Sequence, residues 1–485
     1  MKIPSDSAAL SLEISSNMPP NTSSRCDHNK LVFSPSSHAS SAGYKNPNLA
    51  QRIAATTPRG TPNSTTSKKY SNNENQNAST FPAPLVLPED ELAWDPTYPA
   101  QSLRSWTRGK HRNKVIPERC TIYFTGPPDV EPGLGYIQKW KQPRAKSGVR
   151  EKAVGFPESE DVLDYLGAFY HELPVKMLPS PNLCFTADVD DEGSSPKTKS
   201  KRTNNKAAET KSPTLWLNTH TPSGCIGIRT RATPKGDFSH QLNLNDLLDA
   251  AIEILPDDAY ALLMLVEHDI YEDEDDDFAC GRAYGGSRIA VVSGARYNPI
   301  LDATQRVERD HAWPASHCEK YMERCCEIAE SDDEDETMEG VEFEEAVTVT
   351  SASSNAGVAM PMHAALSAHI SLPSLDLAPS VAALSGMWLG RVCRTASHEL
   401  GHCFGIDHCV YYACAMQGTA SVIEDARQPP YLCPVDLAKV LNATGADQKE
   451  RYKALLAFCE KNEEAHLFAA YGAWIRRRLG MEPTL

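Results

Sequence analysis

The chain has 485 residues, 40% of them hydrophobic and 7% aromatic, and a formal net charge of −16. That apolar share is low for a chain packed throughout, so part of it is expected to lack a core. The negative charge argues against broad binding to nucleic acid or to anionic membranes, and no run of about twenty apolar residues exists to span a bilayer as a helix.

The opening stretch MKIPSDSAALSLEISSN has no continuous apolar segment of the secretory kind. Without such a signal, the 14 cysteines read as reduced thiols in an intracellular, cytoplasmic or nuclear protein, some of them bound to metal. Residues 1–115 are read as a long disordered leader and linker, because runs such as TPNSTTSKKYSNNENQNAST bury too little to offset chain entropy. Within it, SLRSWTRGKHRNK (102–114) is basic, either a docking patch or a solvated linker. Order is expected from CTIYFTGPPD (120–129), a strand and a turn. ESEDVLDYLGAFYHELPVKML (158–178) has the spacing of a helix. TLWLNTH and GCIGIRTR read as strands, and NLNDLLDAAIEILPDDAY (243–260) as an amphipathic helix with a capping side chain at its start. ALLMLVEHDIY (261–271) is a buried strand ending in acid. GGSRIAVVSGARY (285–297) is a further strand, either at a sheet edge or inside the sheet. Residues 310–383 read as an acidic low-complexity insertion centred on ESDDEDETMEGVEFEE. PSVAALSGMWLGRVCRTASHELGHCFG (379–405) is a long helical segment, and amphipathic helices close the chain.

Chemistry concentrates at SHELGHCFGIDHC (397–409). On a helix, residues four apart lie about 40° apart around the axis, so His398 and His402 share a face. Two imidazoles so placed suit one zinc ion. Glu399 lies about 100° round from His398, beside such a metal and not on it. Gly405 falls where the helix should end and accepts the left-handed backbone that turns the chain back. His408 then becomes available as a third ligand, which leaves an open position of the catalytic type. An HExxH alone arises by chance in roughly one chain in thirty of this composition; the added Gly and His lower that several hundredfold. The competing reading is a core helix with histidines bonded to backbone.

HELGHCFGIDHC, followed by VYYAC, AMQG and YLCPVD, resembles the archaemetzincins, a family of zinc metallopeptidases in the metzincin clan. The resemblance implies a zincin-like α/β (α+β) fold: a twisted mixed sheet over an active-site helix, with a smaller helical C-terminal subdomain. It implies that His398, His402 and His408 hold a catalytic zinc, that Glu399 is the general base toward a zinc-activated water, and that Met416 is the Met-turn residue beneath the metal. It further implies a structural second zinc, two per chain in all, on Cys409, Cys414, Cys433 and the residue at 436. That residue is Asp436, where the family pattern has cysteine. It either completes a Cys₃Asp site or caps the following helix. Residues 116–309 resemble the N-terminal part of the catalytic domain more loosely, and residues 384–485 carry the active-site helix, the Met-turn, the structural zinc segment and the last helices. The implied activity is hydrolysis of peptide bonds, aminopeptidase-like, on a peptide substrate, with no nucleic acid or membrane partner; the alternative is a zinc-stabilised peptide-binding or scaffold protein. The oligomeric state is left open. Three further features carry readings of their own: Cys393 and Cys403 read as packing residues, HAWPASHC with Cys325 and Cys326 as a metal cluster, and EHDIYEDEDDD (267–277) as a holder of a substrate ammonium group or a solvated loop.

Overall fold

A computed structural model describes residues 26–61, 79–110, 112–144, 154–187, 214–221, 224–234, 236–332, 360–377 and 379–481. The centre is a five-stranded sheet ordered β10-β11-β8-β1-β3, built from β1 (Thr121–Thr125), β3 (Val175–Met177), β8 (Ala259–Val266), β10 (Gly281–Tyr284) and β11 (Ile289–Ser293). Pairing is parallel except between β10 and β11. A second, mixed six-stranded sheet runs β2-β4-β5-β6-β7-β9, from β2 (Asp129–Val130), β4 (Cys184–Thr186), β5 (Thr214–Asn218), β6 (Cys225–Ala232), β7 (His240–Asn243) and β9 (Ile270–Tyr271).

The central strands are covered on both faces, which is why β8 reads as an unbroken apolar run. Ala261, Leu263 and Leu265 of β8 join Ile122, Phe124, Ala290 and Val292 in one core. The alternate residues Leu262, Met264 and Val266 join Tyr123, Ile289 and Val291 in the other. That second core is closed by α2 (Leu244–Glu253), whose Asn243 caps the Asp246 N–H at 3.1 Å. The first is filled by α1 (Ser159–Phe169) and by α5 (Val381–Cys403), a helix capped by Ser380 on the Ala383 N–H. The closing helices α6 (Pro434–Thr444), α7 (Gln448–Lys461) and α8 (His466–Arg478) bury Val435, Leu455, Phe458 and Trp474 in this same core. The expected C-terminal helices therefore share one interior with the sheet. Among the described residues, no helix is long and apolar enough to cross a membrane.

Strand β11 lies inside the sheet, between β10 and β8; of the two readings of GGSRIAVVSGARY the interior one holds. The edge on this side is β10, a four-residue strand. Gly285, the first of the glycine pair, serves the hairpin's approach to α5: a Cβ on it would lie 2.4 Å from the His402 carbonyl oxygen, whereas Gly286 faces open space.

The leader expectation needs correction where the chain is described. Residues 79–110 pack on the domain, with Phe81, Leu85, Leu87, Leu103 and Trp106 buried. Phe81 meets Tyr412, Tyr431 and Trp474 edge-on. The basic stretch holds a short helix, Leu103–Arg108, and its Trp106 donates Nε1–H to the Phe404 carbonyl at 3.0 Å. A sparse set of large side chains outweighs the surrounding polar composition. The insertion is likewise packed at both ends, as α3 (Glu319–Asp332) and α4 (Pro361–Ser371); its acidic centre, like residues 1–25, lies outside the described residues.

If this arm is part of the folded domain, Trp106→Ala should cost about 3–5 kcal/mol, the usual loss for a buried tryptophan. Denaturant unfolding would measure it; a change within error of zero would return the segment to the status of a linker.

Candidate metal centre

Helix α5 enters the site under tight restraint. Arg391 bonds Asp302 at 2.7 and 3.0 Å, and Arg394 bonds Asp425 at 2.6 Å, all of them buried. The helix ends at Cys403, and Gly405 has φ +71°, the left-handed turn expected of it. The turn brings His408 back to the helix. Ring centroids are 4.7 Å apart for His398 and His402, 5.3 Å for His398 and His408, and 5.1 Å for His402 and His408. A donor atom of each lies within 4.8 Å of the other two.

Each imidazole is oriented from behind. His398 Nδ1–H donates to the Ala415 carbonyl at 2.8 Å, and His402 Nδ1–H to the Ile406 carbonyl at 2.7 Å. A carbonyl only accepts, so both rings carry their proton on Nδ1 and turn an Nε2 lone pair inward. Those two Nε2 atoms are 3.0 Å apart. Burial, then the neighbouring rings, pushes His398 well below its ordinary value, and burial brings His402 down to about 4. Two neutral rings with facing lone pairs repel unless a cation sits with them, so the donor set fits zinc.

The orienting group of His408 was missed in the sequence. It is Glu91, whose Oε1 lies 2.8 Å from His408 Nδ1. Burial alone would lower the His408 ring; the Glu91 carboxylate outweighs it and the net shift is upward. Glu91 opens a short helix, Glu91–Trp94, in the packed arm. Its N–H donates to Glu424 at 3.0 Å, and the neighbouring Asp90 pairs with the buried Arg427. A Cβ on Gly418 would collide with the Glu91 carboxylate, so that glycine makes its room. The legible signal was PEDELAW (88–94), an acidic helix start after an apolar run.

Glu399 lines the same cleft as Glu91, His398, His408 and the edge-strand residue Gly281. Burial raises its carboxyl to about 7, with His408 and Arg282 pulling the other way. Gly281 allows the close approach: a Cβ there would lie 3.2 Å from Glu399 Cγ. Met416 is buried against the opposite side of the helix turn, where a Cβ on Gly401 would lie 2.4 Å from its sulfur.

A second set is buried: Cys409, Cys414, Cys433 and Asp436, again with donor atoms within 4.8 Å of one another. Cys409 and Cys433 sulfurs are 3.6 Å apart, and Asp436 Oδ2 lies 3.3 and 3.4 Å from those of Cys414 and Cys433. Asp436 does not cap the helix. That place belongs to Cys433, whose sulfur accepts from the Asp436 N–H. The other carboxylate oxygen meets the buried Lys439 ammonium at 2.8 Å, which in turn reaches Gln101 of the arm. Against burial, hydrogen bonds from Cys414 and Cys433 draw the Cys409 thiol well below its ordinary value. Burial, then the Cys409 charge, lifts Asp436 to about 7. A dry pocket of thiols and one carboxyl with its own lysine fits a divalent cation, which would replace the shared protons.

The remaining expectations divide. Cys393 and Cys403 are buried packing residues. Cys325 and Cys326 pack beside Leu85, Leu87 and Met322, and belong to none of the metal-competent sets among the described residues. The start of the acidic strand end is spent internally: Glu267 pairs with Lys141, and buried Asp269 with Arg296. Neither lines the Glu399 cleft.

Residues 370–441 match the family described as "Peptidase family M54". Archaemetzincin-2 from Macaca fascicularis is 43% identical over 77 residues, 16% of this chain and 21% of that protein. Over this segment the chain is similar to the archaemetzincins. Archaemetzincin-1 from Homo sapiens is 32% identical over 101 residues, 21% of this chain and 18% of that one. The chain thus spans about a fifth of the length of the curated relatives it matches. A crystal structure of archaemetzincin from Methanopyrus kandleri aligns over 68% of this chain and 98% of that one, at 15% identity and a TM-score of 0.28.

Two outcomes test these assignments. Glu91→Ala should weaken zinc at the histidine set by about 10–100-fold, the usual effect of losing an outer-shell partner, while the cysteine set keeps its metal in chelator competition. Asp436→Ala should lose one zinc equivalent and strand the Lys439 charge, at about 3–5 kcal/mol, whereas Asp436→Cys keeps the ion. Equal zinc content in Asp436→Ala and the parent chain would limit Asp436 to a partner of Lys439.

Proposed function

We propose that the chain is a zinc-dependent metallopeptidase, acting on peptides in an aminopeptidase-like manner, with Glu399 as its general base. The observation that carries the reading is the set of three histidines anchored at Nδ1, facing one another beside a buried carboxylate that opens on a cleft. His398, His402 and His408 would hold the catalytic zinc; Cys409, Cys414, Cys433 and Asp436 the structural one. When bound, a zinc ion in such a site supplies Lewis acidity toward water and toward the scissile carbonyl.

The chain's own groups supply the rest. The Glu399 carboxylate accepts a proton from the attacking water and returns it to the leaving amine nitrogen. Its low-polarity surroundings favour the neutral acid once the proton has arrived, which suits a group that must hold and then release it. Strand β10 has one neighbour, β11, so its outer edge offers backbone groups to an extended peptide, which would add as a further strand past Gly281 and Glu399. Met416 and the buried Arg391 and Arg394 pairs keep the helix from shifting under this load. The 14 unpaired cysteines support a reducing, cytoplasmic or nuclear setting.

The test is a library of free and N-blocked peptides incubated with zinc-loaded parent chain and Glu399→Ala. The parent should release N-terminal residues from the free peptides, and the variant should retain its zinc while losing about 10²–10⁴-fold in rate. Parent-level rates in the variant would remove Glu399 from its role. A zinc-replete parent inert to the whole library would leave a peptide-binding protein. Cleavage of blocked peptides at internal bonds would replace the aminopeptidase-like reading with an endopeptidase one.

A further inference from the structure

One more set of metal-competent side chains meets outside the Glu399 cleft. Cys26 and His28, in the first described segment (26–61), come together with His311, one donor atom of each within 4.8 Å of the other two. The two imidazoles stand 5.0 Å apart between centroids, tilted by 49°.

His311 is built as a ligand would be. Its Nδ1 lies 2.9 Å from Glu308 Oε2, and its face stacks on Tyr321 at 4.4 Å. Its Nε2 is buried and meets no hydrogen-bond partner. A buried polar atom without a partner calls for a reason. A carboxylate behind the ring supplies one, because it holds the tautomer whose Nε2 lone pair is free to bind a cation.

The other two donors arrive on a turn held in register. His28 has φ +51°, a left-handed conformation that residues other than glycine rarely adopt. Just beyond it, the Val32 N–H donates to the His317 carbonyl at 2.8 Å and the Glu319 N–H to the Lys30 carbonyl at 2.9 Å. Lys320 pairs with Asp27 at 3.1 Å. The Cys-x-His pair is thus docked by backbone bonds and does not depend on its own side chains for placement.

We propose that Cys26, His28 and His311 form a third metal site, for a divalent ion of the zinc class. One thiol with two imidazoles suits such an ion and disfavours magnesium or calcium, which prefer all-oxygen shells. Three protein donors leave a fourth place to water or to an outside ligand, entering from a cleft lined by Asp310, His369 and His466. The ion would clip residues 26–28 to the segment that begins at Arg309. The site is independent of the peptidase reading.

Full-length chain, loaded with zinc and dialysed, tests it by metal counting. Cys26→Ser and His28→Asn should each hold one zinc fewer than the parent; asparagine is chosen because it tolerates the left-handed turn. Cys325→Ser, a nearby thiol outside the set, should hold the parent number. The reading is a difference, so it stands whatever the other two clusters bind. Glu308→Gln should weaken this ion by about 10–100-fold without abolishing it. As a second readout, zinc should slow alkylation of Cys26, located by peptide mapping, and His311→Ala should remove that protection. Equal zinc counts in the parent and both ligand variants would overturn the site, as would unprotected Cys26 in zinc-loaded parent.

Discussion

Three imidazole nitrogens facing one another inside a protein form an arrangement that repels itself. Nothing in the helix or its turn makes the convergence of His398, His402 and His408 favourable without a cation, and desolvation keeps two of the rings neutral. The surrounding structure can be understood as what holds them in place. Each Nδ1 is tied to a different element: the Ala415 carbonyl in the loop after the helix, the Ile406 carbonyl in the turn, and Glu91 in the arm. With their backs fixed the rings cannot rotate apart, so the cost of assembling the site falls on folding, before any metal arrives.

The same logic accounts for the unusual burial of charge around α5. Arg391, Arg394, Arg427 and Lys439 are all buried, and each has a carboxylate partner: Asp302, Asp425, Asp90 and Asp436. Buried pairs of this kind contribute little net stability against well-packed apolar residues, but breaking one is costly. They act as registration devices, since a helix displaced along its axis would leave an arginine in a dry interior without its partner. The Asp436–Lys439 pair extends this to the cysteine set. Asp436 turns one carboxylate oxygen to the cysteine sulfurs, and Lys439 takes up the other.

The motif was readable because its chemistry is local. His398, Glu399, His402, Gly405 and His408 lie within one helix end and its turn, where spacing dictates geometry. The central strands were readable for a similar reason, since burial on both faces leaves an unbroken apolar run such as ALLMLV. PEDELAW marks a helix start, but the roles of Glu91, Gln101 and Lys439 at the two clusters were not readable. The first two lie in a stretch whose average composition resembles a solvated linker, and only a few anchors, Phe81, Leu87 and Trp106, fasten it down. Composition reports the mean of a segment, whereas docking depends on its few largest side chains. Strand β10 escaped for a different reason: four residues, one of them glycine, carry too short a pattern to register, and their place at the cleft comes from pairing with β11.

That the arm supplies a partner to His408 ties two equilibria together. Closing a long loop costs only slightly more than closing a short one, so a distant segment is not a poor source for an orienting group provided its anchors hold. The anchors here are apolar contacts and the Asp90–Arg427 pair, both remote from the metal. Linkage is reciprocal: if a docked Glu91 strengthens metal binding through His408, bound metal must strengthen docking of the arm by the same factor. The arm also reaches the cysteine set through Gln101 and Lys439. One strip of chain thereby touches both clusters, which also share the His408–Cys409 peptide; were both to hold metal, the state of either would be felt at the other through these two links.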